Sequence, residues 1–256
     1  ADDGLKFHSQ WDARFVHPVR AAIVNPTDEG RSMDALRDAI TASYGETFER
    51  VIYTESHDEV ANGKARVPEE IHPGAADSWA AQKRSTAGAG LVLTAPGIPM
   101  LFQGQEFLED GWFRDDVPLD WDRNQDFRGL VRLYRDLIQL RRDFHATTKG
   151  LKGHGLNVFH VNDAMNMIAF QRWHDHGRGE DVVVVLNLST GPRESYEIGM
   201  PTGGLWKLRL NTDAARPKSA AFARSTASAM SRTRLTTSVG PNVSSITARE
   251  SSGTSV

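Results

Sequence analysis

The sequence predicts an α/β unit, then an all-β unit, then a tail without regular structure. Residues 1–143 alternate short β-forming runs with helical segments, whereas residues 156–210 contain only short β-forming runs between turn residues. Residues 214–256 are rich in Ser, Thr and Ala and poor in large apolar residues. We therefore divide the chain into residues 1–143, 144–213 and 214–256.

The composition excludes several classes of protein. The 256 residues carry 30 Lys+Arg against 33 Asp+Glu, a balance that argues against a nucleic-acid binder. With no Cys, the chain has no disulfide, thiolate metal site or cysteine nucleophile. No apolar run reaches the roughly 18–20 residues of a membrane span, and the first residues show neither an initiator Met nor a secretion signal. We expect a cytoplasmic protein whose chain starts within a longer protein or has been processed.

Helical and strand segments alternate in the first unit. Apolar residues at helical spacing predict helices over 31–43, 77–94 and 126–143, the last with a face of Leu130, Leu133, Leu137 and Leu140. Asp77 or Ser78 is a suitable N-cap for the second helix. The runs 51–53 and 98–102 are short, apolar and followed by polar residues, which is typical of buried strands that end in functional loops.

The second unit contains five predicted strands. They are the runs LNVFHV, NMIAFQRW, DVVVVLNL, SYEIGM and LWKLRLN. After Asp213 the period-2 alternation ends, so residues 214–256 are predicted to be a disordered tail. A natural flexible tail and an altered reading frame would give the same composition.

Polar residues follow both strands of the first unit. Glu55, His57, Asp58 and Glu59 come directly after 51–53, and Gln103 and Glu106 come after 98–102. In parallel α/β folds, ligands bind at this carboxyl edge of the sheet. Carboxylates and an imidazole near Trp112 predict a sugar site, because sugar rings stack on aromatic side chains and their hydroxyls bond to polar groups. The alternative is that Asp58 caps a turn and Glu106 pairs with an arginine.

Four segments carry a family resemblance that covers about four-fifths of the chain. They are GLKFHSQWD (4–12), SHDEVANGK (56–64), PGIPMLFQGQEF (96–107) and LDWDRNQDFRGLVRLYRDLIQLRR (119–142). They resemble the C-terminal half of α-amylase-family proteins (glycoside hydrolase family 13), most closely the 1,4-α-glucan branching enzymes. His8 departs from the first segment, where the family usually has Asp.

The resemblance implies a fold and a set of roles. It implies the last strands and helices of a (β/α)8 barrel, followed by an incomplete β-sandwich. It makes Asp58 the carboxylate that stabilises the transition state and His57 a ligand of sugar hydroxyls in subsite −1. Substrate contacts are expected from Glu55, Glu59, Lys64, Gln103, Glu106 and Trp112, with no cofactor and no metal.

The resemblance also implies that two catalytic groups lie elsewhere. The family is retaining, with a carboxylate nucleophile and an acid/base about 5–5.5 Å apart. Both belong to strands that precede the segment matching Gly4, and Asp2 and Asp3 match no motif. A full barrel needs about 250 residues, more than precede the β unit. We therefore expect a fragment that is inactive alone and that associates with another chain through its open barrel edge.

Three functions stay open at this point. The first is part of a branching enzyme acting on an α-1,4-glucan such as glycogen, starch or a maltooligosaccharide. The second is part of an α-amylase-type or trehalose-releasing hydrolase. The third is a non-catalytic fragment that binds carbohydrate or a partner protein. Neither nucleic acid nor membrane is an expected partner.

Overall fold

The computed structural model describes residues 7–175, 180–213, 222–224, 234–239 and 243–249. Its first part contains three short parallel strands connected by helices. In chain order the elements are β1 (Gln10–Trp11), α1 (Ala13–Val24), α2 (Met33–Thr41), β2 (Arg50–Ile52), α3 (His57–Val60), α4 (Val67–Ile71), α5 (Trp79–Thr94) and β3 (Ile98–Pro99). The sheet order is β1-β2-β3, with Trp11 beside Val51 and Val51 beside Ile98.

The predicted helices and strands of this part are present, with shifted ends. Ser78 is the N-cap of α5, where its hydroxyl accepts a hydrogen bond from the Ala81 N–H. Helix α1 was not predicted, although Asp12 caps it by accepting from the Arg14 N–H. Pro18 lies inside α1, and a proline ordinarily argues against a helix interior.

The predicted helix over 126–143 is divided at Phe127. The structure has α6 (Arg123–Asp126) and α7 (Arg128–Arg141). The side chains of α7 that are buried are Tyr134, Leu137 and Arg141. Only Leu137 of the predicted leucine face is therefore fully buried, because the helix turns a tyrosine and an arginine into the interior beside it.

All five strands predicted for the second unit are present. They are β4 (Gly155–Asn162), β5 (Met167–Trp173), β6 (Val182–Asn187), β7 (Arg193–Gly199) and β8 (Leu205–Asn211). Neighbouring strands β4, β5 and β6 pair antiparallel. The run of four valines in β6 is buried on both faces of its sheet. Val182 and Val184 join the core shared with the helices, whereas Val183 and Val185 pack with Ile198 and Trp206.

The prediction of a disordered tail is wrong for three stretches of residues 214–256. The structure describes strands β9 (Phe222–Arg224), β10 (Arg234–Val239) and β11 (Val243–Arg249) there. The larger sheet has the order β4-β5-β6-β11-β8-β9, so β11 lies between two strands of the predicted unit, while β10 pairs with β7. Ile246 and Ala248 of β11 are buried. Because β11 pairs with β6 on one side and β8 on the other, backbone hydrogen bonds hold it in the sheet although most of its side chains are small or polar. The remainder of the predicted tail lies outside the described residues.

Two buried arginines bind carbonyls at the carboxyl end of α5, Arg172 from the β unit and Arg141 from α7. Arg172 of β5 donates hydrogen bonds to the carbonyls of Thr94 (2.7 Å), Gly153 (2.7 Å), Gly155 (3.1 Å) and Leu151 (3.4 Å). Arg141 donates to the carbonyls of Ala95 (2.6 Å) and Gly97. Burial lowers the pKa of Arg141 to about 10, and burial and the Arg141 charge lower that of Arg172. The negative end of the α5 dipole faces these two cations.

Further hydrogen bonds connect the helices to the β unit. The Met33 N–H at the start of α2 donates to the Asp163 carboxylate (2.5 Å), and the Thr190 N–H donates to Asp28 (2.8 Å). The two parts therefore share one buried core. In the described part of the chain, the helices are too short or too polar to span a bilayer.

We expect Arg172→Met to lower the free energy of unfolding by about 2–4 kcal/mol. Methionine fills a similar volume but leaves the four carbonyls without their donor in the interior. Urea denaturation followed by circular dichroism measures the change. Arg142→Met, at an exposed neighbouring arginine, is the matched control, and equal effects of the two substitutions would contradict the expectation.

Candidate active site

His57 and Asp58 lie together at the carboxyl end of β2. They open the short helix α3, whose first turn is closed by hydrogen bonds from the Glu59 and Val60 N–H groups to the Ser56 carbonyl (3.0 and 3.1 Å). His57 Nε2 is 3.2 Å from Asp58 Oδ1, and the side chains are 57% and 69% exposed. Both predicted catalytic side chains are therefore adjacent and accessible to a ligand.

Glu55 does not have the exposed position that a substrate contact requires. It is 1% exposed, and its carboxylate accepts hydrogen bonds from the Val67 N–H (2.7 Å) and the Arg66 guanidinium (3.2 Å). Burial raises the pKa of Glu55, against the opposing attraction of the Arg66 charge and the Val67 hydrogen bond. The prediction that Glu55 contacts substrate is wrong in this structure, because the β2–α3 loop turns its side chain into the interior.

Arg66 connects the His57 loop to the loop that follows β3. Its guanidinium donates to the Gln103 carbonyl (2.9 Å) and lies 5.0 Å from the centre of the Phe102 ring. The backbone N–H of Arg66 donates to the Gly111 carbonyl (2.9 Å). Through its side chain and its backbone, Arg66 thus connects the loop after β2, the loop after β3 and the segment at Gly111. Sequence patterning gave no signal for it.

Arg20 of α1 anchors the same loop from the opposite side. It donates to the carbonyls of Thr54 (2.9 Å) and Ala65 (3.3 Å) and forms an ion pair with Glu70 (2.6 Å). Together, Arg20 and Arg66 hold the backbone on both sides of His57 and Asp58. The exposed pair therefore stands on a rigid buried support, as an active site requires.

The predicted contacts Glu59 and Lys64 lie on this same loop. Lys64 Nζ donates to the backbone carbonyl of Asp58 (3.0 Å), and the Asp58 carboxylate is exposed. Glu59 Oε2 is 4.0 Å from Nδ1 of His17, an exposed residue of α1 that was not among the candidates. The structure therefore brings these residues together with His57 and Asp58.

Gln103 and Glu106 face a different space. They line a cavity of about 540 Å³ whose other wall is α7, with Val131, Tyr134 and Ile138. Neither His57 nor Asp58 lines this cavity. Gln103 is connected to the His57 loop through its backbone carbonyl, which accepts a hydrogen bond from Arg66. Burial and the charges of Glu55 and Glu106 raise the pKa of Tyr134.

Trp112 lies on the loop that packs against α3. The Phe113 N–H donates to the Val60 carbonyl (2.6 Å), and the Phe113 ring meets Phe102 edge-to-face at 5.3 Å. Trp112 itself is 47% exposed, with the Arg114 guanidinium 5.7 Å from its ring. It offers an accessible aromatic face on a loop fixed to the His57 helix.

Two aromatic residues of the site were missed. Trp11 and Tyr53 meet edge-to-face at 5.5 Å, and Trp11 meets His57 at 5.6 Å. Burial and the charges of Glu59 and Asp58 raise the pKa of Tyr53. Trp11 belongs to the segment 4–12 that carried the family resemblance, so that motif was a usable signal.

A second cluster of polar residues lies away from this site. His174, Asp175 and Glu180 have ligand atoms within 4.8 Å of one another. Lys149 Nζ lies 2.9 Å from Glu180 and 3.4 Å from Asp175, so both carboxylates are already paired with an ammonium group. His176, which the sequence places beside them, lies outside the described residues.

Comparison with known proteins matches both parts of the chain. Residues 159–247 match the family described as alpha amylase, C-terminal all-beta domain. The chain is 33% identical over 226 residues to a 1,4-alpha-glucan branching enzyme GlgB of Burkholderia pseudomallei (strain K96243), covering 84% of this chain and 29% of the relative. It is 30% identical over 220 residues to GlgB 2 of Xanthomonas euvesicatoria pv. vesicatoria (strain 85-10), with the same coverage.

Solved structures agree at the level of the fold. A pullulanase from Anoxybacillus sp. LM18-11, complexed with maltotetraose, superposes with a TM-score of 0.66 at 16% identity, over 94% of this chain and 35% of that chain. An Anoxybacillus α-amylase superposes with a TM-score of 0.64 at 16% identity, over 94% of this chain and 47% of that chain.

The fold and the matched all-β domain are those of α-amylase-type proteins. The chain belongs to the α-amylase family, glycoside hydrolase family 13, and corresponds to the C-terminal region of its branching enzymes. It spans about 29% of the length of these curated relatives.

We expect Arg66→Met to destabilise the fold by about 3 kcal/mol or more, because it leaves the Glu55 carboxylate buried without its partner. The double variant Glu55→Met/Arg66→Met should be less destabilised than Arg66→Met, since it removes both charges. Urea denaturation of the set measures this. Arg114→Met, which breaks an exposed pair with Asp116, is the control and should have little effect. A double variant less stable than Arg66→Met would contradict the expectation.

Proposed function

We propose that this chain forms part of the catalytic site of a retaining α-1,4-glucan branching enzyme. The observation that carries the proposal is the exposed His57–Asp58 pair, 3.2 Å apart at the carboxyl end of a parallel strand. Asp58 stabilises the positive charge that develops on the sugar in the transition state, and His57 binds hydroxyls of the same sugar. The sequence likeness to branching enzymes supports this choice of reaction.

The electrostatics of the loop suit this role. The Asp58 carboxylate is exposed, whereas the carboxylate of Glu55, three residues earlier, is buried and paired with Arg66. The exposed charge is thus available to a bound glucosyl residue. Its effect increases once a substrate and its covering loops exclude water from the site.

The chemistry also needs a nucleophile and an acid/base, which we assign to residues outside this chain. In retaining enzymes these two carboxyl groups form and break the glycosyl-enzyme. Branching follows when a glucan 6-hydroxyl, instead of water, attacks that intermediate and a new α-1,6 linkage forms. We propose accordingly that β1, β2 and β3 are strands of a (β/α) barrel that other residues complete.

The substrate and location follow from this proposal. The partner molecule is an α-1,4-glucan such as glycogen, starch or a maltooligosaccharide, and the setting is cytoplasmic glucan metabolism. The outer edges of β1 and β3 are the places where further barrel strands, on this or another chain, would pair. The reaction as proposed needs no cofactor.

A hydrolase of the α-amylase type is the second candidate. The fold likeness to a pullulanase and an α-amylase favours it. Branching and hydrolysis share the glycosyl-enzyme and differ in the acceptor. Product analysis separates them, because branching creates α-1,6 linkages without new reducing ends whereas hydrolysis of α-1,4 bonds creates reducing ends.

We expect the purified chain alone to neither branch nor hydrolyse amylose. Asp58 can stabilise charge, but it does not both attack the anomeric carbon and protonate the leaving oxygen. Iodine staining and a reducing-sugar assay measure the two activities. Turnover above background that disappears in Asp58→Ala would contradict the assignment of the other two groups to residues outside this chain.

In a full-length branching enzyme that contains these residues, we expect Asp58→Asn to lower kcat by several orders of magnitude with little change in KM. The lost interaction is made chiefly in the transition state. Asp115→Asn, at an exposed residue of the 108–117 loop, is the matched control. A fall in kcat of less than about tenfold, roughly 1.4 kcal/mol of barrier, would count against the role.

A further inference from the structure

Trp11 stands beside the His57–Asp58 pair without an assigned role. It ends β1, where hydrogen bonds to Glu49 and Val51 hold the strand against β2. The Asp12 carboxylate that follows it forms a buried ion pair with Arg50 (2.9 Å). The backbone on both sides of Trp11 is therefore fixed, and the indole is held at the same edge of the sheet as His57.

The indole contacts two aromatic rings of the next strand and its loop. Its centroid is 5.5 Å from Tyr53 at an interplanar angle of 62°, and 5.6 Å from His57 at 68°. Both distances and angles are those of favourable edge-to-face pairs. Tyr53 is only 5% exposed, so it supports Trp11 from the interior side.

The His57 imidazole has little other restraint in the described part of the chain. Its Nε2 meets Asp58, which is itself 69% exposed, and more than half of the imidazole is open to solvent. An exposed side chain paired with another exposed side chain samples several rotamers. The contact with Trp11 is the one that joins His57 to a buried support.

We propose that Trp11 is a positioning residue, which holds the His57 imidazole beside Asp58 in the orientation that binds sugar hydroxyls. The expected effect of Trp11 on glucan binding rests on the proposed function, whereas its contact with His57 does not. The indole is 44% exposed, so its free edge also bounds the space into which His57 and Asp58 project.

The test compares the chain with its variants Trp11→Phe, Trp11→Leu and, as a matched control, Trp79→Leu. Trp79 is an exposed tryptophan at the start of α5. Nuclear magnetic resonance of the ¹⁵N-labelled imidazole reports the tautomer of His57 and the ring-current shifts of its carbon-bound protons. Titration with maltoheptaose reports glucan binding.

We expect Trp11→Leu to move the His57 signals toward those of an unrestrained imidazole and to weaken maltoheptaose binding by about two- to tenfold. Trp11→Phe should keep most of both properties, because phenylalanine can make the same edge-to-face contact. Trp79→Leu should change neither. Unchanged His57 signals in a folded Trp11→Leu variant would overturn the proposal.

Two further readouts keep the outcome decisive. If Trp11→Leu does not fold, the unsubstituted chain should still show cross-relaxation between the Trp11 indole and His57 imidazole protons, and its absence overturns the inference. If the His57 signals respond to Trp11→Leu but a full-length enzyme that contains these residues neither binds maltoheptaose nor branches amylose, the positioning role stands and the proposed function fails.

Discussion

The buried ion pair between Arg66 and Glu55 is the interaction on which the candidate site depends. Arg66 is 2% exposed and Glu55 is 1% exposed, so neither charge has water as an alternative partner. The same guanidinium bonds to the Gln103 carbonyl, and the Val67 N–H bonds to Glu55. Because an unpaired buried charge is costly, the loop after β2, the start of α4 and the loop after β3 must keep one relative arrangement.

This arrangement explains why exposed catalytic candidates can still be precisely placed. His57 and Asp58 carry little packing of their own, but the backbone on each side of them is held by Arg20 and Arg66. The aromatic contact with Trp11 adds a restraint from a neighbouring strand. A site for a large, hydroxyl-rich substrate requires this combination of a fixed, buried backbone and side chains that are open to solvent.

A second pair of arginines fixes the end of α5, Arg172 against the β unit and Arg141 against α7. Arg141 and Arg172 converge on carbonyls at and after the end of α5, the helix that immediately precedes β3. The β unit is therefore attached to the part that carries the site through the backbone of α5 itself. Like the Arg66–Glu55 pair, this contact exchanges the hydration of a cation for several hydrogen bonds at a buried position.

The sequence by itself determined the strands of the second unit, several helices of the first and the position of the candidate pair. Alternation of apolar residues predicted β4 to β8, the polar residues after 51–53 located His57 and Asp58, and a short motif indicated the family. Those features are local, since they depend on residue type and spacing. Only the tertiary structure decided that Glu55 faces inward, that Gln103 and Glu106 line a different cavity, that Trp11 meets His57, and that β11 enters the centre of the sheet. Each of these depends on which distant backbone lies alongside, and that information is absent from the periodicity of any one segment.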